Sequence, residues 1–248
     1  MSLLTDRTIV ITGAGRGLGR AFAHACGAEG ARVVIAEIDR DRGAEAAEAL
    51  ARDGYEAWFT PLDIADADSV AAMAAAVEAR YGRIHGLVNN AALATGLGGK
   101  RFEEIETEAW DRVMAVNVRG TWLVTKACVP LMGTGAIVNL ASDTALWGAS
   151  LLLHYVASKG AVIAMTRAMA RELGAAHITV NAVAPGLTRV EATADVPRPR
   201  HELYEQGRAL KRAQHPADVT GAVVFLLSDG AAFITGQTLA VNGGFVMH

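Results

Sequence analysis

The chain has 248 residues, of which 52% are hydrophobic and 20% charged, with a formal net charge of −3 at pH 7. That length allows one large domain or two small ones with a sizeable core, and the slight acidity argues against general binding to nucleic acid or anionic membranes. No apolar run reaches the roughly 18 residues of a membrane span, and no basic segment followed by an apolar core stands at the N-terminus, so neither a span nor a secretory signal is expected.

In chain order, residues 8–12 (Thr-Ile-Val-Ile-Thr) form a short β-branched run read as a strand. Gly13-Ala-Gly-Arg-Gly-Leu-Gly19 follows at once, then an Ala-rich helical pattern to about residue 29. Strand, glycine loop and helix together form the setting of a dinucleotide site: glycines let the backbone approach a pyrophosphate, which meets the positive end of the helix. Cys26 in this helix and Cys128 further on lie in apolar patterns without metal-ligand spacing. They read as buried thiols of a reducing compartment, which predicts a cytoplasmic protein.

Residues 32–37 (Arg-Val-Val-Ile-Ala-Glu) read as a second buried strand ending in Glu37, 18 residues after Gly19. A carboxylate there can accept both ribose hydroxyls of an adenosine and would repel a 2′-phosphate. Arg16 in the glycine loop could attract such a phosphate; Ile38, standing where a second cation would help, tips the balance to Glu37 and to NAD. A helix over 40–53 and a strand over 56–60 continue the alternation, followed by Leu62-Asp63-Ile64. Asp63 suits either an adenine amino group or a helix cap or turn. A helix runs on to about residue 81, and the strand 84–88 leads into Asn89-Asn90-Ala91-Ala92, whose two amides can lock neighbouring strand ends.

Residues 102–131 carry two helical patterns with Asn117 between them, either distorting the helix to hold a water or acting as a buried cap. The strand 136–141 delivers Ser142. An apolar, Ala-rich helix over 157–173 is opened by Tyr155 and Lys159, which stand four apart and so share one helical face. An ammonium there should favour the phenolate and bring a tyrosine, with an ordinary pKa of about 10, toward a useful base. A strand over 178–183 precedes Pro185-Gly186-Leu187-Thr188. Residues 189–212, with Pro197, Pro199, Arg198, Arg200, Arg208, Lys211 and Arg212, break the alternation and read as a mobile helical substrate lid (about 187–212) or a solvated basic face. A helix over 216–227 and a strand over 238–241 close the chain, which shows no repeat, low-complexity segment or linker.

Strand and helix alternate at least six times, which predicts one domain: a single doubly wound α/β (Rossmann) parallel sheet of about seven strands with helices on both faces. The glycine loop, Glu37, Asp63, Asn90, Ser142 and Pro185-Gly186 all fall just after strands, at the carboxyl edge where such sheets bind ligands. Leu93 and Leu97, then Leu146, Trp147, Leu151, Leu152 and Leu153, and finally Leu187 put few charges near Ser142 and Tyr155, which suits an apolar ligand. His154 either points away along its helix or bonds a polar substituent.

With Thr12-Gly-x-x-x-Gly17-x-Gly19, Asp63, Asn89-Asn90-Ala91, Asn117, Ser142, Tyr155-x-x-x-Lys159 and Pro185-Gly186, and with Ser142 and Tyr155 13 residues apart, the chain resembles the short-chain dehydrogenase/reductase family over essentially its whole length. The resemblance implies an NAD(P)-dependent oxidoreductase without a metal. Tyr155 is then the acid/base, Lys159 lowers its pKa and binds the nicotinamide ribose, Ser142 bonds the reacting oxygen, and Asn117 holds a relay water. It implies cofactor contacts from Gly13, Arg16, Gly17, Leu18, Gly19, Glu37, Asp63, Ile64, Asn90, Ala91, Tyr155, Lys159, Pro185, Gly186 and Thr188. Leu93, Trp147, Leu152, His154 and Leu187 are expected at the substrate. Ala92, Val190, Thr188 and Asn242 depart from the family's commoner Gly, Thr, aliphatic and Asp. Members often form tetramers through helices corresponding to residues 121–131 and 155–173, so a homotetramer is expected. The leading function is NAD-linked oxidation of a largely hydrophobic secondary alcohol or reduction of its ketone. The alternatives are a 3-oxoacyl carrier-protein or CoA reductase, with the basic stretch gripping an acidic partner, and a non-catalytic dinucleotide sensor.

Overall fold

A computed structural model describes residues 2–247. Its centre is a seven-stranded parallel sheet in the order β3-β2-β1-β4-β5-β6-β7. In chain order the elements are β1 (Thr8–Thr12), α1 (Gly17–Ala28), β2 (Arg32–Glu37), α2 (Arg40–Arg52), β3 (Ala57–Pro61), α3 (Ala67–Tyr81) and β4 (Gly86–Asn89). They continue as α4 (Thr107–Met114), α5 (Thr121–Cys128), β5 (Gly135–Leu140), α6 (Thr144–Trp147), α7 (Leu153–Leu173), β6 (Ile178–Pro185), α8 (Arg198–Gly207), α9 (Ala217–Leu227) and β7 (Thr238–Val241).

The strands are apolar on both sides because helices cover both faces. On one face Ile9, Ile11, Val33, Ile35, Val88 and Val138 pack with Phe22, Cys26, Leu50, Val219 and Val223, from α1, α2 and α9. The alternate residues Val10, Val34, Leu87, Ile137 and Val180 pack on the other with Val70, Met73, Val77, Val124 and Cys128, from α3 and α5. Both cysteines are free thiols in these layers, and burial pushes each up to about 12. Strand order reverses at β1, which lies between β2 and β4. A crevice opens at such a reversal, at the carboxyl ends of the strands.

Asp39 caps α2 by accepting the Arg42 amide (3.2 Å), and Asp66 caps α3 by accepting that of Asp68 (3.0 Å). Gly82, at φ 69°, ends α3 in the left-handed region open to glycine. Three departures from the sequence reading bear on function. The patterns either side of Asn117 are one continuous helix, α4 and α5 joined by the π-helical turn Ala115–Gly120. The helix bearing Tyr155 starts at Leu153, four residues earlier than its apolar pattern; Leu152 caps it with no side-chain bond, so no N-cap residue announced the start. A further short helix, α6, lies in a stretch without clear periodicity, whereas α8 falls inside the stretch read as helical.

Candidate active site

The glycine loop leaves β1 with Gly13 at φ +64° and Gly17 at φ +57°. Gly19 is packed so closely that a Cβ there would lie 2.6 Å from Asn90 Nδ2, with the Gly13 carbonyl closer still. Asn90 holds the loop: its Nδ2 donates to the carbonyls of Thr12 (2.9 Å) and Gly13 (3.0 Å). Thr12 Oγ1 in turn accepts the amides of Asn90 and Ala91, each at 3.0 Å. At the head of α1, Arg16 is exposed and supplies no side-chain cap, so the amides of the first turn face the crevice, while Leu18 turns to the core. A tight backbone cradle before an uncapped helix N-terminus fits the pyrophosphate of a dinucleotide.

Glu37 ends β2 and is buried. Its Oε2 accepts the Gly15 amide (2.9 Å) and its Oε1 those of Ile38 (2.9 Å) and Asp39 (3.2 Å). The carboxylate therefore braces the glycine loop from the end of β2. Asp63 takes the turn role left open in the sequence, Oδ1 accepting the Ala65 amide at 2.8 Å. Ile64 is 6% exposed, packed in the core where a Cβ on Gly120 would come within 2.9 Å of it. A buried amide chain locks the strand ends: Asn89 Nδ2 donates to Thr125 Oγ1 (2.9 Å) and Asn139 Oδ1 (2.8 Å), and Asn139 Nδ2 to Thr166 Oγ1 (2.9 Å).

Ser142 follows β5, and its Oγ accepts the Thr144 hydroxyl at 2.9 Å. Tyr155, half-buried on α7, brings its phenol beside the same Ser142 hydroxyl. Lys159 lies one turn on, 4% exposed, its Nζ donating to the Leu140 carbonyl at 2.6 Å and standing 5.7 Å from the Tyr155 ring centre. Ser142, Tyr155 and Lys159 thus meet as the spacing predicts. The net shift of the Tyr155 phenol is upward, the opposite of what a neighbouring ammonium alone would produce. Burial, with Asp143 adding to it, pushes the phenol up to about 12 against the Ser142 bond, and burial brings Lys159 down to about 8. Both side chains lose water here, and desolvation disfavours the charged form of each.

The π turn aims Asn117 at two elements. Its Oδ1 accepts the Leu93 amide (2.7 Å), while its Nδ2 donates to the Leu93 carbonyl (3.1 Å) and to Ser158 Oγ (3.0 Å). Its own carbonyl accepts the Thr121 hydroxyl at 2.9 Å. Asn117 ties the loop after β4 to the helix of Tyr155. Pro185 ends β6 and Gly186 follows it, the Gly186 amide bonding the Val241 carbonyl at 3.1 Å. The Thr188 hydroxyl turns back on the Gly186 carbonyl (3.0 Å), and the Thr188 carbonyl accepts the Thr193 hydroxyl (2.7 Å).

Leu93, Leu152 and Leu187 are half-buried beside these residues. Trp147 is engaged elsewhere: its indole donates to Tyr204 Oη at 3.4 Å and its ring meets Phe245 edge-on. His154 is 3% exposed with Nδ1 lacking a partner, and burial, then Lys100, lowers its pKa. The basic stretch is not a free cationic face. Arg189 pairs with Glu205, Arg198 with Glu202 and Arg212 with Asp218. Arg208 is buried outright, donating to the carbonyls of Leu187 (2.8 Å), Arg212 (3.0 Å) and Asn242 (3.1 Å). Nothing in the residue pattern set Arg208 apart from its neighbours, nor did it single out Thr144, Asp143 or Tyr204.

A family model described as enoyl-(acyl carrier protein) reductase matches residues 13–246. The 2-(S)-hydroxypropyl-CoM dehydrogenase 3 of Xanthobacter autotrophicus is 37% identical, covering 97% of each chain. The cyclopentanol dehydrogenase of Comamonas testosteroni is 34% identical over the whole of both. A short-chain type dehydrogenase/reductase from Mycobacterium ulcerans has a solved structure that superposes with a TM-score of 0.93 at 33% identity, covering 98% of this chain and 90% of that one.

Proposed function

The chain belongs to the short-chain dehydrogenase/reductase family, and we propose that it transfers hydride between NAD(H) and a largely hydrophobic secondary alcohol or its ketone. The observation carrying this reading is that Ser142, Tyr155 and Lys159 converge at the carboxyl edge of the sheet beside the uncapped glycine loop. When bound, the dinucleotide supplies the hydride acceptor or donor. Gly13, Arg16, Gly17, Leu18, Gly19, Asn90 and Ala91 hold its pyrophosphate side, Glu37 and Asp63 its adenosine, and Pro185, Gly186 and Thr188 its nicotinamide.

In oxidation, Tyr155 Oη takes the alcohol proton; in reduction it returns one to the ketone oxygen. Ser142 Oγ donates to the reacting oxygen, so two hydroxyls stabilise developing alkoxide charge. Lys159, whose ammonium stands 5.7 Å from that ring's centre, must offset the burial that keeps the phenol protonated. Asn117 holds the Leu93 loop and Tyr155's helix in register, a position from which it orders a relay water.

An apolar substrate is supported by half-buried Leu93, Leu152 and Leu187, and both named relatives act on secondary alcohols. The intramolecular pairing of Arg189, Arg198 and Arg212 weighs against an acidic carrier protein. The enzyme works in the cytoplasm as a homotetramer through α5 and α7, where Trp122 is 47% exposed, with residues 187–212 as its lid. The test compares kcat/KM for cyclopentanol, 1-phenylethanol, a sugar alcohol and an acetoacetyl thioester, followed at 340 nm with both nucleotides. A clear win for the sugar or the thioester overturns the apolar pocket.

A further inference from the structure

Asp143 directly follows Ser142 and is fully buried. A carboxylate so placed needs hydrogen-bond donors. Its Oδ1 accepts the Tyr204 hydroxyl at 2.8 Å, a contact spanning 61 residues from the catalytic loop to α8. Its Oδ2 makes no bond of good geometry among the described residues, with the Asn242 amide beside the group. The charged and titratable groups facing it are Tyr204, Arg208, Arg200 and Tyr155.

The direction of the Tyr204 bond is forced. Trp147 Nε1 reaches Tyr204 Oη at 3.4 Å, and an indole can only donate, so the phenol's proton goes to Asp143. Burial and the Asp143 charge hold the Tyr204 phenol well above its ordinary value, so it keeps that proton. The ring is clamped as well: it stacks on Phe245 at 4.3 Å, Trp147 meets it edge-on at 6.3 Å, and the Arg208 guanidinium lies 5.2 Å from its centre. At the other end, Asp143 sets its own loop. Its amide donates to the Pro185 carbonyl (3.0 Å), and its carbonyl accepts the amides of Leu146 (2.8 Å) and Trp147 (3.2 Å), the turn that carries Thr144 against Ser142.

We propose that Asp143 and Tyr204 are positioning residues: the hydrogen bond between them holds the Ser142 loop in its working place and ties it to α8. This rests on the dehydrogenase reading for its catalytic consequence, though not for the bond itself. Substrate closing under residues 187–212 and a correctly placed Ser142 then become one event, because α8 cannot leave its seat without releasing the loop.

The experiment is a double-mutant cycle on NAD-linked cyclopentanol oxidation, with Asp143→Ala, Asp143→Asn, Tyr204→Phe and the Asp143→Ala/Tyr204→Phe pair. Tyr204→Phe keeps the ring stacked on Phe245, so the fold should survive it. Tyr204→Phe and Asp143→Ala should each lower kcat by 10- to 100-fold with KM for NAD within twofold, and the pair should be no worse than Asp143→Ala alone. Asp143→Asn, whose amide oxygen still accepts the phenol, should recover most of the loss seen in Asp143→Ala. Additive losses, or an Asn variant as poor as the Ala one, overturn the proposal. A wild-type chain inert toward every probe alcohol sinks the dehydrogenase reading instead, and amide hydrogen exchange at residues 143–148 then decides: faster exchange in Tyr204→Phe supports the tie, and equal exchange refutes it.

Discussion

Replacing Glu37 by Gln separates its two roles. The carboxylate accepts three amides, Gly15 on Oε2 and both Ile38 and Asp39 on Oε1. A glutamine can keep only one acceptor oxygen. Its cheaper orientation leaves Oε1 on Ile38 and Asp39 and points the NH₂ at the Gly15 amide, so one buried donor loses its partner, at a cost of about 1–3 kcal/mol. For a chain of this size each kcal/mol moves Tm by roughly 2–4 °C, so scanning calorimetry should read a fall of about 2–12 °C. The second effect is on the nucleotide. A carboxylate 4 Å from a phosphate charge repels it by about 4 kcal/mol at an effective dielectric of 20, an upper bound near 10³-fold in selectivity. Removing the charge, with exposed Arg16 left to attract the phosphate, should narrow the NAD-over-NADP ratio of kcat/KM by about 10- to 10³-fold. A Gln variant that keeps the wild-type ratio within twofold would refute the assignment of nucleotide choice to Glu37.

Tyr155→Phe should cut kcat by about 10²- to 10⁴-fold while NADH fluorescence titration shows nearly unchanged binding; with the phenol pushed up to about 12, wild-type alcohol oxidation should also climb with pH beyond 8, and a plateau from pH 6 would point to another base. Gly19→Ala places a methyl against Asn90 and the Gly13 carbonyl, so it should cost about 1–3 kcal/mol in urea unfolding and weaken NADH at least tenfold. Gly221→Ala, on α9 with nothing within 4 Å of the added methyl, should instead stabilise by about 0.5–1 kcal/mol. Asp143 has a folded pKa raised from 3.8 to about 6 by burial, so its contribution to stability is full below pH 4 and lost as pH rises through 6. Relative to Asp143→Asn, the wild type should therefore lose up to about 3 kcal/mol between pH 4 and 7, and a gap that widens in the opposite direction would show that the carboxylate is not desolvated.

Tyr155 and Lys159 were legible together because one helical turn relates them, and the glycine loop because strand, loop and helix follow one another without a gap. The same holds for the parallel sheet and for which residues fall at its carboxyl edge: alternation along the chain prescribes parallel strands, and parallel strands put all those ends on one edge. The apolar strands and the two buried thiols followed from composition for the same local reason.

What needed the tertiary structure is everything set by how much water a group loses and by partners distant in sequence. Arg208 looked like one more lid cation until the fold closed three carbonyls around it. Asp143 is an ordinary residue after Ser142 until Tyr204 arrives from 61 residues away. The Tyr155 phenol illustrates the limit most directly. The spacing to Lys159 determined that a cation would stand near it, but only the packed structure shows how much water both groups lose, which moves the phenol up and the ammonium down. Spacing along a helix is a local property of the chain, whereas desolvation is the sum of every atom the fold brings around a group, and no stretch of sequence carries that sum.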